Sequence, residues 1–585
     1  MRIFNILQRT RQTKGWIHRN AVMGACVALI LAGGIGGYMA LADSPKYIAA
    51  NVTLHTSGAI DKNDLLSGQW GYLPGSKQED GGLLIKPDSF QIVKQDGSGG
   101  QANPPVNEYG THLENATDFT ITAQLADVAA TGKAAMQLYG QVPIIADEFR
   151  VERKSVRVEL DGNNLNVNLW DGSKQTAALT QSLPLATPIA KDARLEVTHA
   201  AGKIQISVNG QQVTEIDDSG VFADGFVWFG FDATGSSFKI SNLDAKGVGA
   251  ATFKTADSST LRVQRKDPNG LQSLAAKKRS NFTVGAAMAL PPTVSDASYA
   301  NAAFGGNFGA LTTENAMKWQ FIEPQQGVFD FKEGDALVQL AKRHDMKVQG
   351  HTLVFGEANP AWVRNLPAGQ LEAAMTNHIK KTLTHFKGNV YSWDVVNEPF
   401  SDDQWDQFRT NIWYNAMGES YISKAFTTAH DADPGALLFM NEYGIEEDGD
   451  RWNAFLALVT KLKAGGVPID GVGFQSHVYQ SSDKIDPAVL RKHIQQLAAI
   501  GVKSRVSEMD VYSDDGQSVQ ASQYSAIFQA CLDEPGCISW TTWGISDRYD
   551  YFIDDDGSIQ QGNDFLWNDK MKPTPAFGAV QKLLQ

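Results

Sequence analysis

From Asn281 to Gln585, apolar runs of strand length alternate eight times with segments long enough to be helices, and no other regularity in the chain restricts the available folds so far. The runs are FTVGAAM, FGALTT, KVQGHTLV, VYSWDVV, ALLFMN, DGVGFQSH, VKSRVSE and ISWTTWG. Parallel neighbours cannot be joined by tight turns, so this alternation predicts a parallel sheet with crossover helices. Two intervening segments show the helical period. DALVQLAKRH places Ala336, Leu337, Leu340 and Ala341 on one face, and DPAVLRKHIQQLAAI does the same with Val489, Leu490, Ile494 and Leu497. Eight such units over residues 281–585 fit a closed TIM (β/α)8 barrel, which takes about 250 residues or somewhat more. An open doubly wound sheet is the lesser alternative, because no G-x-G-x-x-G follows the first strand.

The region before it reads differently. Residues 45–248 hold short alternating strands separated by Gly, Asn and Asp, as in DFTITAQL, VRVELDGNNLNVNLWDG, ARLEVTHA and GFVWFGFD. The clearest hairpin is KIQISVNGQQVTEI, where Asn209-Gly210 supplies a two-residue turn. So many strands without helical periodicity predict an all-β jelly-roll sandwich, and the WFGFD…FKISNLDA ending resembles concanavalin-like and laminin-G-like sandwiches. The resemblance implies carbohydrate binding as one role for it, although Trp70, Trp170 and Trp228 also fit as core residues. Residues 249–280 are basic, polar and turn-rich, and read as a linker.

Residues 1–42 have the polarity of an export segment. Arg2, Arg9, Arg11, Lys14 and Arg19 precede an uncharged run from Ala21 to Ala42, which ends Ala40-Leu41-Ala42. The A-x-A ending predicts cleavage, whereas the length of residues 21–42 also suits a retained membrane anchor. Either reading places the remainder outside the cytoplasm, secreted or periplasmic. With 51 Lys+Arg against 65 Asp+Glu the chain carries a net charge of −14, which argues against a nucleic-acid partner. Beyond Cys26 in the export segment, only Cys531 and Cys537 occur. They read as a local disulfide across the Pro535-Gly536 turn or as two reduced, buried thiols, and export favours the bridge. No Cys/His spacing suggests a metal site, and no cofactor is implied.

In a barrel of this kind reactive groups gather at the C-terminal ends of the strands. Here the second strand candidate runs into Thr313-Glu314-Asn315, the third into His351, the fourth into Asn397-Glu398, the fifth into Asn441-Glu442, the sixth into Gln475-Ser476-His477, the seventh into Glu508 and the eighth into Trp543. Carboxylates, amides and imidazoles at nearly every strand end, with aromatic residues among them, describe a pocket for sugars, whose hydroxyls need polar partners and whose ring faces stack on aromatic side chains. Glu398 and Glu508 form the best carboxylate pair for glycoside hydrolysis, one as a proton donor and the other as an ionised nucleophile.

Six ordered segments, ENAMKW (Glu314 to Trp319), GHTLV (Gly350 to Val354), WDVVNEP (Trp393 to Pro399), QSHV (Gln475 to Val478), SEMD (Ser507 to Asp510) and WGISD (Trp543 to Asp547), resemble glycoside hydrolase family 10, the endo-β-1,4-xylanases. The resemblance covers residues 281–585 and implies retaining double displacement on a polysaccharide. It assigns Glu398 as acid/base and Glu508 as nucleophile. By the same resemblance Asn397 contacts the sugar 2-hydroxyl, His477 orients Glu508, and Asp510 supports that set. Glu314, Asn315, Lys318 and His351 hold sugars, Gln475 lies at the reacting centre and Trp543 floors the cleft. The Cys531/Cys537 pair also occurs in many family members.

Two stretches depart from the family pattern. Where members usually read HTLVWHSQ, this chain has Phe355, Gly356 and Ala358 in place of the Trp, His and Gln, and the motif after the eighth strand ends in Asp550-Tyr551. Smaller residues there open room beside the reacting sugar, so a different β-1,4-linked polymer, such as an exopolysaccharide, is the alternative substrate. A non-catalytic polysaccharide-binding envelope protein is the alternative of another class.

Overall fold

A computed structural model describes residues 118–248 and 266–585 apart from short interruptions, together with isolated strand segments on either side of the first stretch. Residues 1–42, with the expected export segment, lie outside the described residues, as does Trp70. Among the described residues no helix is long and apolar enough to cross a membrane.

The second half closes into a barrel. Its strands are β1 (Thr283–Ala287), β2 (Ala310–Thr312), β3 (Lys347–Gly350), β4 (Ser392–Asn397), β5 (Leu437–Glu442), β6 (Gly471–Phe474), β7 (Lys503–Val511) and β8 (Cys537–Thr542). Each pairs in parallel with its sequence neighbours, and β1 pairs with β8 to complete the ring. These are the eight runs named from the sequence. They are buried on both faces because helices cover the outside and side-chain layers fill the inside, which is why they read as continuous apolar runs.

The expected linker is shorter than its composition suggests. Thr252–Lys254 pairs with His112–Glu114 and so extends a sheet of the first domain. Leu271–Lys278 is a helix that buries Leu271, Leu274 and Ala275 against the barrel. The Arg279 guanidinium donates to the carbonyl oxygens of Leu532, Glu534 and Pro535 at 3.2, 2.9 and 2.9 Å. Lysines at the end of that helix gave it the composition of a connector, while three apolar residues on one face dock it.

The first domain is two antiparallel sheets. One runs in the order Gln211–Asp217, Lys203–Val208, Ala193–Ala200, Phe119–Ala126, Phe238–Val248, Gly82–Ile85, Lys77–Glu79. The other runs Leu179–Pro184, Asn164–Trp170, Ser155–Asp161, Lys133–Tyr139, Val227–Thr234, His112–Glu114, Thr252–Lys254. Their inner faces share one core that includes Ile121, Val158, Leu165, Val197, Ile206 and Phe229. At the predicted hairpin Asn209 and Gly210 have φ of 52° and 80°, the left-handed pair that a tight two-residue turn requires. Trp170 is half-buried on its strand, outside that core. Tyr139 of this domain packs with Tyr549, which follows β8.

Cys531 and Cys537 are bonded, with their Cα atoms 5.3 Å apart, and tie the helix Gln517–Asp533 to the start of β8.

Candidate active site

Strands β2 to β8 deliver polar side chains to one end of the barrel, and the local backbone explains how. β4 ends in Asn397, and the next residue, Glu398, takes φ of 51°, so the chain turns as soon as it leaves the sheet. The Glu398 backbone N–H donates to the Asn441 carbonyl at 2.9 Å, which fixes that turn to β5.

The two glutamates are joined by a chain of amides. Asn397 Nδ2 donates to Glu398 Oε1 at 3.2 Å, Asn441 Nδ2 donates to Asn397 Oδ1 at 2.8 Å, and the same Asn441 amide donates to Glu508 Oε1 at 2.5 Å. Ser507 Oγ donates to Asn441 Oδ1 at 2.6 Å, which orients the amide. Gly473 on β6 permits this crossing: a Cβ there would lie 2.2 Å from Asn441 Oδ1.

Glu508 is held from its other side by His477, whose Nε2 donates to Glu508 Oε2 at 3.2 Å while Nδ1 donates to Asp510 Oδ2 at 2.8 Å. Burial alone would depress the affinity of His477 for a proton, but Asp510 and Glu508 outweigh it and push its pKa up to about 10. The imidazole is therefore cationic at neutral pH and sets a positive charge against the Glu508 carboxyl.

Glu398 has the opposite setting. Gln475 Nε2 donates to Oε1 at 3.1 Å and Arg409 Nη2 lies 3.4 Å from Oε2. Burial is the largest influence and raises the carboxyl pKa to about 7, with Glu442 and Glu508 adding to it and Arg409 and Gln475 opposing. One carboxyl thus lies between an amide donor and an imidazolium, while burial poises the other to carry a proton.

Around this pair, His351 follows β3, its Nδ1 3.0 Å from Asp394 Oδ2. Asp394 is fully buried, receives Gln349 Nε2 at 3.1 Å and pairs with Arg505; burial favours its neutral form, but Arg505 and His351 win and lower its pKa. Trp543, at the end of β8, meets the His351 ring edge to face at 5.1 Å. Its Nε1 is a buried donor with no partner among the described residues. Lys318 is buried at the residue that precedes the helix Trp319–Ile322, and Glu314 and Asn315 are half-buried just past β2.

The sequence-predicted residues Glu398, Glu508, Asn397, Gln475 and His477 are linked by hydrogen bonds, with His351 and Trp543 in mutual contact. Asn441 was named in the sequence only as a polar residue at the end of the fifth strand, and Asp394, Ser507 and Arg409 were given no role there. Arg409 lies in a loop 11 residues beyond Glu398 and offers neither period nor spacing. Of the departures, Phe355 sits on a short strand beside β4, paired at Asn397, and the side chain of Tyr551 lies outside the described residues.

The model of glycosyl hydrolase family 10 matches residues 272–583. Endo-1,4-beta-xylanase A of Phanerodontia chrysosporium is 38% identical over 280 residues, covering 47% of this chain and 67% of that protein. Endo-1,4-beta-xylanase B of Thermotoga neapolitana is 34% identical over 287 residues, covering 48% and 81%. Among solved structures, xylanase 10B of Thermotoga petrophila, in complex with xylobiose, superposes with a TM-score of 0.50 at 33% identity over 54% of this chain and 97% of that one. Native xylanase 10B of Thermotoga maritima does so with a TM-score of 0.50 at 34% identity over 54% and 98%. A family match over more than half the chain, with two differently poised glutamates at the mouth of a closed barrel, makes this chain a member of glycosyl hydrolase family 10.

Proposed function

We propose that the chain is a retaining, endo-acting glycoside hydrolase that cleaves β-1,4 linkages in xylan or a closely related polysaccharide. The observation that carries this reading is the contrast between Glu398, whose burial raises its pKa to about 7, and Glu508, gripped by Asn441 and by a cationic His477. Xylan is favoured over other polymers by the names of the curated relatives and by the xylobiose held in the Thermotoga petrophila structure.

In the first half-reaction Glu398 gives its proton to the leaving glycosidic oxygen as Glu508 attacks the anomeric carbon, so the C–O bond breaks and an ester to Glu508 forms. In the second, water loses a proton to the Glu398 carboxylate and attacks the same carbon, releasing Glu508 and the sugar with its configuration retained. Asn397, fixed by Asn441, contacts the 2-hydroxyl, and the free Nε1 of Trp543 donates to a sugar hydroxyl.

A 2-deoxy-2-fluoro xylobioside with a good leaving group tests this directly. The expected outcome is a stable adduct on the peptide bearing Glu508, with reducing-end release lost in Glu508→Ala by about 10⁴-fold or more while xylan binding persists. Activity surviving Glu508→Ala would sink the assignment. The smaller Gly356 and Ala358 beside the reacting centre favour, as a second reading, a β-1,4-linked polymer other than xylan. Release from glucan, mannan or an exopolysaccharide in preference to xylan would establish it, and binding without release from any polymer would favour a non-catalytic role.

A further inference from the structure

Arg409 makes an unusually crowded set of contacts for a group beside a proton donor. Its Nη1 lies 3.2 Å from Glu357 Oε1 and 3.0 Å from Asp402 Oδ2, and its Nη2 lies 3.0 Å from Asp402 Oδ1, 3.1 Å from the Tyr443 hydroxyl and 3.4 Å from Glu398 Oε2. Its Nε donates to the Phe400 carbonyl at 3.3 Å. One cation is therefore shared by three carboxylates, and every edge of the guanidinium is occupied.

The segment that departs from the family pattern builds this cluster. A Cβ on Gly356 would lie 2.9 Å from Asn411 Nδ2 and 3.4 Å from Arg409 Cδ, so a bulky residue there would press on the loop that carries the arginine. The next residue, Glu357, supplies the charge that Arg409 meets, at a position where the family pattern HTLVWHSQ has serine. Asn359 Nδ2 donates to the carbonyls of Phe355 and Gly356 at 3.0 and 3.1 Å, and Trp413 Nε1 donates to the Phe355 carbonyl at 2.7 Å, which pins the segment against that loop.

We propose that Arg409 is a positioning residue for the acid/base Glu398, and that Glu357, by sharing the guanidinium, sets how strongly the acid/base feels its charge. The inference rests on the assignment of Glu398 made above. The groups facing Glu398 are Arg409, Gln475 and Asn397 in contact and Glu442 and Glu508 through space; Glu357, Asp402 and Tyr443 act on it through Arg409, and His477 acts on the far side of Glu508. With Glu357 and Asp402 in place, the positive charge is largely neutralised, and Glu398 retains its proton while its carboxyl is still held in one orientation. Removing an anion from the cluster exposes the cation, favours the Glu398 anion and lowers its pKa. Removing the cation does the reverse.

The experiment is the pH profile of kcat/KM for the full chain on a xylo-oligosaccharide, where the basic limb reports Glu398. Glu357→Gln is expected to move that limb down by about one pH unit, Glu357→Asp to restore most of it, and Arg409→Met to move it up while lowering kcat by about tenfold or more. Asp402→Asn is the second probe, expected to shift the limb in the same direction as Glu357→Gln. A basic limb unmoved in both carboxylate variants, with activity falling evenly at all pH, means a merely structural cluster and overturns the inference. Glu398→Gln separates the two levels: it is expected to lose kcat/KM on the xylo-oligosaccharide by about 10³-fold or more while keeping it on a xylobioside with a dinitrophenolate leaving group, which needs no proton. If it loses neither, or both alike, the acid/base assignment itself fails; if that contrast holds and Glu357→Gln leaves the basic limb in place, only the role given to Glu357 and Arg409 fails.

Discussion

At the scale of residues, the site works by giving chemically identical side chains different surroundings. Glu398 and Glu508 are both glutamates at strand ends, yet one is raised to about 7 by burial and the other is held between an amide and an imidazolium. The proposed first half-reaction needs Glu398 protonated, so kcat/KM of the unaltered chain should fall as pH rises through about 7; a stopped assay of reducing ends from pH 4 to 10 checks this, and a plateau extending past pH 9 would contradict it. The glutamates and His477 were legible in the sequence because a reactive group must stand at the end of a barrel strand and the motifs name the strands. Arg409 and Glu357 were not, because their roles come from a contact between two loops separated by 52 residues.

At the scale of elements, each strand has to be buried along its length and still deliver a polar group at its last residue. β6 shows how tight that requirement is, since the amide of Asn441 passes where the Cβ of any residue but glycine at 473 would stand. Gly473→Ala should therefore cost about 1–3 kcal/mol of stability and, by displacing Asn441 from Glu508, at least about tenfold in kcat. Calorimetry and steady-state kinetics read the two effects separately, and wild-type kcat in a destabilised variant would show that the Asn441 bridge is dispensable. Periodicity in the sequence located all eight strands and the Asn209-Gly210 turn, because period and turn chemistry are local. It mistook the helix Leu271–Lys278 for part of a linker, because a short, lysine-ended helix is recognised only by what its apolar face meets.

At the scale of the whole molecule there are two separate cores, one between the sheets of the first domain and one around the barrel, and the Leu271–Lys278 helix belongs to the second. Leu271 is fully buried, so Leu271→Ala in the full chain should lower the barrel's unfolding transition by about 2–4 kcal/mol. In a solvated connector the same change would stay within about 0.5 kcal/mol, and calorimetry distinguishes the two. The sequence alone determined the eight-stranded barrel, the sandwich before it and the strands to which the two glutamates belong, since alternation of apolar and polar residues and strand-end position are properties of the chain read in one dimension. The tertiary structure alone decided which glutamate holds a proton, how Asn441 joins it to the other, and that Arg409 is shared among three carboxylates. Those follow from burial and from distances of about 3 Å between residues remote in sequence, where the cost of desolvating a charge and the strength of each charge pair are set.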